Sequence, residues 1–399
     1  MERGDSRDEW WENATFYQVY VRSFADADGD GVGDLDGVRE RLGYLDLLGV
    51  DALWLTEPFR PDGEGDLPSF DRLVADAHRD GLKVILDLGV QRDDLDRTLR
   101  FWLDRGVDGF RVTGEPGAHR VLRQVLDERP GTVAVDEVWP TDDPRPYGPH
   151  LGLTFRLMLA EYDGVELRTA IDASLDAAAM AKVPPMWLLS TDDIVRQATR
   201  YSDGPLGTQR ARAMVLVELG LPGVVLLYNG EELGLPNVAL PEWAIQDPEY
   251  FRSGGQVPGR DGCRVPLPWE GAEPPFGFSP NASTWLPIPP EWAKLTVERQ
   301  LEDADSTLSL YRQAIELRKT NTAFRGAELE WYGAPAGCFA YRRKGGGLVC
   351  VLNASDTAVP LPAGEILLVS GPLNDRHLPP NTAAWLVAPT SGTRAFGAS

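Results

Sequence analysis

The aspartates of the run DADGDGVGD, namely Asp26, Asp28, Asp30 and Asp34, recur at short intervals with glycines between them. Glycine lets a chain turn tightly, so several hard carboxylate oxygens can converge on one cation. Carboxylates packed this closely repel one another unless a positive charge sits among them. The spacing follows the first half of a known calcium loop, but the twelfth position is Gly37, so the closing bidentate acid is absent. A solvated acidic turn is the alternative reading. A second run, GFRVTG at 109–114, alternates Phe110 and Val112 with Arg111 and Thr113 after a turn at Asp108 and Gly109, the pattern of a short strand. A threonine hydroxyl such as that of Thr113 is neutral and a weak nucleophile without a neighbouring base.

The other chemistry-bearing residue types are scattered. Cys263, Cys338 and Cys350 are odd in number and form no CxxC pattern, so a disulfide framework or a zinc site is not expected and the three read as buried thiols. His78, His119, His150 and His377 never cluster, and His78 and His119 fall in helical patterns. A formal charge of -22 disfavours binding to nucleic acid or to anionic membranes. The opening stretch MERGDSRDEWWE has no apolar segment of the kind that directs secretion, and no apolar run is long enough to span a bilayer, so a cytoplasmic location is the default expectation.

The elements that must position these residues follow from alternation. TFYQVYVRSF (15–24) reads as a first strand, residues 35–49 as a helix with Leu35, Val38, Leu42 and Leu45 on one face, and VDALWLTEPF (50–59) as a second strand. A helix and strand in SFDRLVADAHRDGLKVILDLGV follow, with Gly81 as the stop signal. Helix 95–105 leads into GFRVTG, and further strands are read at 132–139 and 151–159. A helix at 165–181, PPMWLLSTDD, a helical region ending near Gly223, VVLLYNGEELG at 224–234 and a last helix at 306–319 complete eight strand-helix units. The fold class is α/β, a (β/α)8 TIM-type barrel. Residues 235–300, rich in Pro, Gly and Trp, are expected as a long ordered loop packed on the barrel by its aromatic side chains. Beyond about residue 324 short strands between Gly, Pro and Asn turns indicate a small C-terminal antiparallel β-sandwich. The expected domains are thus 1–324, the barrel, and 325–399, the all-β unit.

Four blocks carry a resemblance: WWENATFYQVYVRSF through GDGVGDLDG, the GFR run, LLS followed by Asp193-Ile194-Val195-Arg196, and DGCRVPLPW. Together they resemble glycoside hydrolase family 13, the α-amylase family, and within it bacterial α-glucosidases and oligo-1,6-glucosidases. The resemblance implies a structural calcium (Ca2+) held by Asp26, Asp28, Asp30, Asp34 and the backbone carbonyl of Val32. It also implies that Glu137 stands at the general acid/base position and Asp193 at the transition-state stabiliser. Arg111 would orient the nucleophile. The chemistry needs two carboxylates, one as nucleophile and one as acid/base.

At the nucleophile position the family has Asp, and this chain has Thr113. The Asn-His pair after the third strand becomes Gln91 and Arg92, the His of the Asn-His-Asp motif becomes Asp192, and the Tyr-Asp pair of the innermost sugar subsite has no counterpart in PDGEGDLPSF. Between Asp87 and Gly109 there is room for little more than one helix, so the B domain that walls the family's pocket is missing. The expected function is an α-glucosidase-like protein of carbohydrate metabolism that no longer hydrolyses glycosides. It would act by binding a small α-glucoside or oligosaccharide, or a protein partner, with no nucleic acid and no membrane involved. The alternative is an active glycoside hydrolase or transglycosidase working atypically through Glu137 with Asp193 or Asp192, or with Glu115 as a displaced nucleophile. On structural grounds alone, Arg111 and Asp193 are expected to form a buried ion pair, Glu137 to be a rim carboxylate, Asp192 and Glu115 to be solvated acids, and the acids at 231–232 and the 261–264 run to be scaffold.

Overall fold

Eight short parallel strands hydrogen-bond in chain order and close on themselves, the last pairing with the first, in a computed structural model that describes residues 9–56, 67–89, 94–113, 118–138 and 150–387. The first half runs β1 (Thr15–Tyr20), α1 (Leu35–Glu40), α2 (Leu42–Leu48), β2 (Ala52–Thr56), α3 (Leu67–Arg79), β3 (Lys83–Gly89), α4 (Leu95–Leu103) and β4 (Gly109–Thr113). The second half runs α5 (Ala118–Asp127), β5 (Val133–Glu137), β6 (Leu151–Leu153), α6 (Arg156–Leu159), α7 (Gly164–Ala181), β7 (Pro185–Leu188), α8 (Gln197–Arg200), α9 (Gly204–Gly220) and β8 (Val224–Tyr228). The long segment that follows carries α10 (Pro248–Arg252) and α11 (Val297–Glu302) before α12 (Thr307–Thr320). The eight-unit barrel is as expected from the alternation.

The period-2 geometry of the strands sorts their side chains into two cores. Phe16, Trp54, Ile85, Val133, Val135, Leu151, Leu153, Met186, Leu188, Val224 and Leu226 fill the barrel interior. Their neighbours Tyr17, Leu53, Leu55, Val84, Leu86, Phe110, Val112, Trp187, Val225 and Leu227 pack outward against the helices. Each such large side chain contributes about 1.5–3 kcal/mol by leaving water. Gly109 belongs to the interior layer, because a Cβ there would lie 2.5 Å from Val133 Cγ1 and 2.8 Å from Ile85 Cδ1.

Two elements differ from expectation. The run 151–159 is a strand only over Leu151–Leu153 and then turns into α6, which buries Leu157 and Met158. A continuous apolar run fits either a buried strand or a buried helix, so its pattern does not mark the change. Residues 35–49 form two helices broken at Arg41, whose guanidinium leaves the helix line to stack on Trp269 at 4.5 Å and to donate to Gly277 O. The 235–300 segment is ordered by its aromatics as expected, with Trp269, Phe276, Phe278 and Trp292 in the outer core and Trp269 Nε1 donating to Phe24 O at 2.7 Å.

The C-terminal unit is a five-stranded antiparallel sheet and a two-stranded ribbon. The sheet is built from β9 (Leu329–Tyr332), β10 (Cys338–Arg343), β11 (Leu348–Asn353), β13 (Glu365–Val369) and β15 (Thr382–Val387), and the ribbon from β12 (Val359–Pro360) and β14 (His377–Leu378). One sheet face shares a small core with Val359 and Leu378 of the ribbon. The other joins the barrel through α9: Tyr341 Oη donates to Val217 O at 2.6 Å and Trp385 Nε1 to Leu216 O at 2.7 Å. Gly220 is small because a Cβ there would meet Tyr341 Oη at 2.4 Å.

Candidate active site

Alternation also decides what faces the mouth of the barrel. Gln18 lies two residues beyond Phe16, Asp87 two beyond Ile85, Arg111 two beyond Gly109, and Glu137 two beyond Val135. Each therefore continues the interior face of its strand toward the C-terminal end, where barrel proteins place their chemistry. In register, Asp87 is opposite Arg111, and Arg111 is opposite Val135.

Arg111 is the hub of one half of the site. Its Nη1 donates to Asp87 Oδ2 at 2.8 Å, and its Nη2 to Glu137 Oε1 at 3.3 Å. Burial lowers the pKa of Arg111, but the two carboxylates outweigh it and hold the guanidinium above its ordinary value. Burial pushes the Asp87 carboxyl up, with Arg111 opposing. Glu137, at the end of β5, is half-buried, with a side chain 32% exposed. The structure thus corrects the expected partner of Arg111: it is Asp87 and Glu137, and not Asp193.

The other half lies beyond β7. Asp193 is solvent-exposed, at 58% of its side chain, and accepts from Arg260 Nη1 at 2.9 Å and Arg264 Nη2 at 2.8 Å. Asp192 is the buried member of the pair, which corrects its reading as a solvated acid. Its Oδ1 accepts from Gln18 Nε2 at 3.0 Å and its Oδ2 from Arg264 Nη2 at 3.2 Å. Burial, with the Asp193 charge adding to it, raises the Asp192 pKa to about 6 against the pull of Arg264. Arg264, in the run expected to be scaffold, instead pairs with both acids, and Arg260 joins it on Asp193. Arg260 is itself anchored by Asp247 Oδ2 at 2.8 Å. Glu231 and Glu232, by contrast, are buried among tyrosines, in line with a scaffold role.

Thr113 closes β4 opposite Gly89 of β3; its side chain lies outside the described residues. Gln91, Arg92, Glu115 and residues 61–66 of PDGEGDLPSF also lie outside them. Only residues 90–108 separate β3 from β4, and α4 is the single element described there.

In the acidic loop, Asp26, Asp28 and Asp34 offer carboxylate oxygens within 4.8 Å of one another. Asp30 is not in that set; its Oδ1 accepts from Val32 N at 2.7 Å. Asp26 receives the backbone N–H groups of Gly29 and Gly31, and Asp34 those of Ala27, Asp28 and Gly37, so both are held rigidly. The Asp30 N–H lowers the pKa of Asp28, yet burial and the charges of Asp30, Asp34 and Asp26 outweigh it and leave the pKa raised. Three converging hard oxygens fit a divalent cation.

The site is that of a closed parallel barrel with acids and arginines gathered at the C-terminal ends of its strands, where barrel proteins carry their chemistry. The chain belongs to the α-amylase catalytic-domain family, glycoside hydrolase family 13, whose profile matches residues 18–92 and 150–327. The unmatched interval, 93–149, holds α4, β4, α5 and β5, and with them Arg111, Thr113 and Glu137. A probable α-glucosidase of Rhizobium meliloti (strain 1021) is 28% identical over 499 positions, covering 88% of this chain and 90% of the relative. Those 499 positions exceed the 399 residues of this chain, so the relative carries segments this chain lacks. A glucan 1,6-α-glucosidase of Streptococcus dysgalactiae subsp. equisimilis is 24% identical, covering 93% and 98%. Among solved structures, the α-glucosyl transfer enzyme XgtA superposes with a TM-score of 0.80 at 26% identity, covering 94% of this chain and 99% of that one. An isomaltulose synthase mutant of Erwinia rhapontici NX5, solved with sucrose, shares the fold with a TM-score of 0.82 at 20% identity, covering 96% and 99%. No described helix is long and apolar enough to cross a membrane.

Proposed function

We propose that this chain is a catalytically degenerate α-glucosidase-like protein that binds a small α-glucoside or oligosaccharide without cleaving it. One observation carries the reading: the strand position at which the family's nucleophilic Asp is expected holds Thr113. A neutral hydroxyl cannot stabilise an oxocarbenium-like transition state as a carboxylate does. Two further features support it. Asp193, at the stabiliser position, is engaged by Arg260 and Arg264. With only residues 90–108 between β3 and β4, no covering domain is inserted there to exclude water from the mouth. Asp26, Asp28 and Asp34 would hold a calcium ion whose role is structural. The reading includes a cytoplasmic location, in keeping with three buried free thiols.

A second reading, an active enzyme with atypical chemistry using Glu137 and Asp193, draws on Asp192, whose pKa of about 6 is in the range of a general acid. The test is an assay of the pure protein on maltose, isomaltose, sucrose, trehalose and aryl α-glucosides, paired with titration calorimetry on the same sugars. Binding heat without turnover is expected. Turnover that disappears in Glu137→Gln overturns the degenerate reading, and neither heat nor turnover moves the assignment to a protein partner.

A further inference from the structure

Five ionisable side chains are buried together at the junction of α8, α9, the end of β8 and α12. They are Glu218 (0% exposed), Glu231 (3%), Glu232 (0%), Arg196 (1%) and Arg318 (4%). Arg343, 1% exposed, joins them by sharing the Leu221 carbonyl with Arg318, and the half-buried Arg200 acts on Glu231, so the question is which carboxylate a base reaches. An uncompensated charge in a protein interior is too costly to persist, so a buried carboxylate that no base reaches must be balanced by a proton or a cation.

The hydrogen bonds show which acids are already served. Glu232 Oε1 accepts from Tyr17 Oη and Tyr44 Oη, each at 2.7 Å, and its Oε2 accepts from Gly230 N at 3.0 Å. Glu231 Oε1 accepts from Tyr311 Oη at 2.8 Å, and that hydroxyl is in turn held by Gln197 Nε2 at 3.1 Å. Glu218 is different: neither of its oxygens has a partner among the described residues. Arg318 does not reach it by hydrogen bond, because its Nη atoms go to the carbonyls of Leu219, Leu221 and Gly223. Arg196 uses Nη1 on Asn229 O and lies over the face of Tyr228. Gln197 Oε1, Tyr201 Oη, Asn229 Nδ2, and Nε and Nη2 of Arg196 are also without protein partners. A group of unpartnered donors and acceptors in one interior is what ordered water satisfies.

We propose that Glu218 and Glu231 form a buried site that binds a single proton, shared through ordered water, so that the pair carries one negative charge when the protein is folded. The titratable and charged groups facing Glu218 are Glu231 at the end of β8, Tyr201 after α8, and Tyr311 and Arg318 on α12, and Glu231 also faces Glu232 and Arg200 of α8. Burial first, then the Glu231 charge, holds the Glu218 carboxyl well above the usual range, and burial raises Glu231 to about 7. The two titrate as a pair. Glu218 lies between Val217 and Leu219 on α9, beside the carbonyls that dock Tyr341 and Trp385 of the C-terminal sheet.

A carboxyl whose folded pKa is raised stabilises the fold fully below its unfolded pKa of about 4.3, and that stability is lost as pH rises toward the folded value. An amide mimics the protonated acid and cannot lose the proton. The test compares melting temperatures of the wild type, Glu218→Gln and Glu231→Gln at constant ionic strength, in sodium, potassium and tetramethylammonium buffers. At about pH 4 the wild type and Glu218→Gln should melt together, and at about pH 8.5 the variant should melt ~2 °C or more above the wild type. Glu231→Gln should flatten the profile in the same direction. Parallel profiles for wild type and variants overturn the proposal. So does a melting temperature that depends on which monovalent cation is present, which would assign the site to a metal ion. Failure of both amide variants to fold also overturns it, since the amide should replace the acid.

Discussion

Arg111 and Asp87 meet across the neighbouring strands β4 and β3, Nη1 to Oδ2 at 2.8 Å, with both side chains mostly withdrawn from water. The pair ties the barrel mouth together whether or not chemistry occurs there. Arg111→Ala leaves Asp87 buried without its cation. A fully buried pair would cost more; discounted for the remaining exposure, the loss is about 2 kcal/mol in urea unfolding. Asp87→Asn, which retains an acceptor, should cost less. Equal stability of Arg111→Ala and the wild type would show that the tie contributes nothing.

Restoring a carboxylate should not restore hydrolysis. Thr113→Asp supplies the missing acid, but Asp193 stays bound to Arg260 and Arg264, and only residues 90–108 lie between β3 and β4. Release of glucose from maltose or nitrophenol from an aryl α-glucoside by this variant should match the enzyme-free blank. Strong rescue would mean the subsite losses matter little.

Asp192 should titrate late. In carboxyl NMR its midpoint is expected at about 6. Because Arg264 opposes the rise, Arg264→Ala should move the midpoint upward, and a downward move would contradict the assignment of Arg264 as its counter-charge. The folded pKa is raised, so the stability tied to this group is present below its unfolded value of about 3.9 and lost as pH climbs toward 6.

His150 has the opposite sign. Its Nδ1 accepts from Ala134 N at 2.8 Å, and burial first, then the Arg123 charge, depress its pKa to about 4. The neutral ring is favoured, so its stability is present above the unfolded value near 6.5 and lost as pH falls through that window toward 4. The loss should be about 2 kcal/mol. Denaturant curves at both ends of the window should show it in the wild type and not in His150→Asn. An identical acid loss in the variant would place the sensitivity elsewhere.

The acidic loop can be separated from its metal at Asp28. Asp34 accepts from Gly37 N at 2.6 Å as the cap of α1, so replacing it costs stability with or without an ion. Asp28 has no such capping duty. Calcium should raise the melting temperature of the wild type, and Asp28→Asn should abolish that rise while melting like the wild type after chelation. A melting temperature unmoved by chelator or calcium argues against the ion.

Local patterns made the barrel legible. Alternation marks Phe16 and Gln18, Ile85 and Asp87, or Val135 and Glu137 as facing one way, and the strand ends then fall at the mouth. Pairing was not legible, because nothing local joins Arg264 to Asp192, 72 positions apart, or Arg260 to Asp193, 67 apart. Composition could show that Glu218 is an acid inside an apolar helix, VLVELG, but not that Arg318 is occupied by carbonyls. Spacing grouped Asp30 with Asp26, Asp28 and Asp34, but it does not encode the turn in which Asp30 Oδ1 accepts from Val32 N.

The arginines at the mouth have a thermodynamic consequence. Arg111 answers Asp87 and Glu137, and Arg264 and Arg260 answer Asp192 and Asp193, three cations against four acids among the described residues, so the mouth offers nothing to draw in an anionic visitor. A ligand must exchange its hydroxyls for ion pairs already made, hydrogen bond for hydrogen bond. Recognition here is a near-even trade. Affinity will come from shape and from sugar faces laid on apolar surface, and added salt, by loosening the internal pairs, should aid entry rather than hinder it.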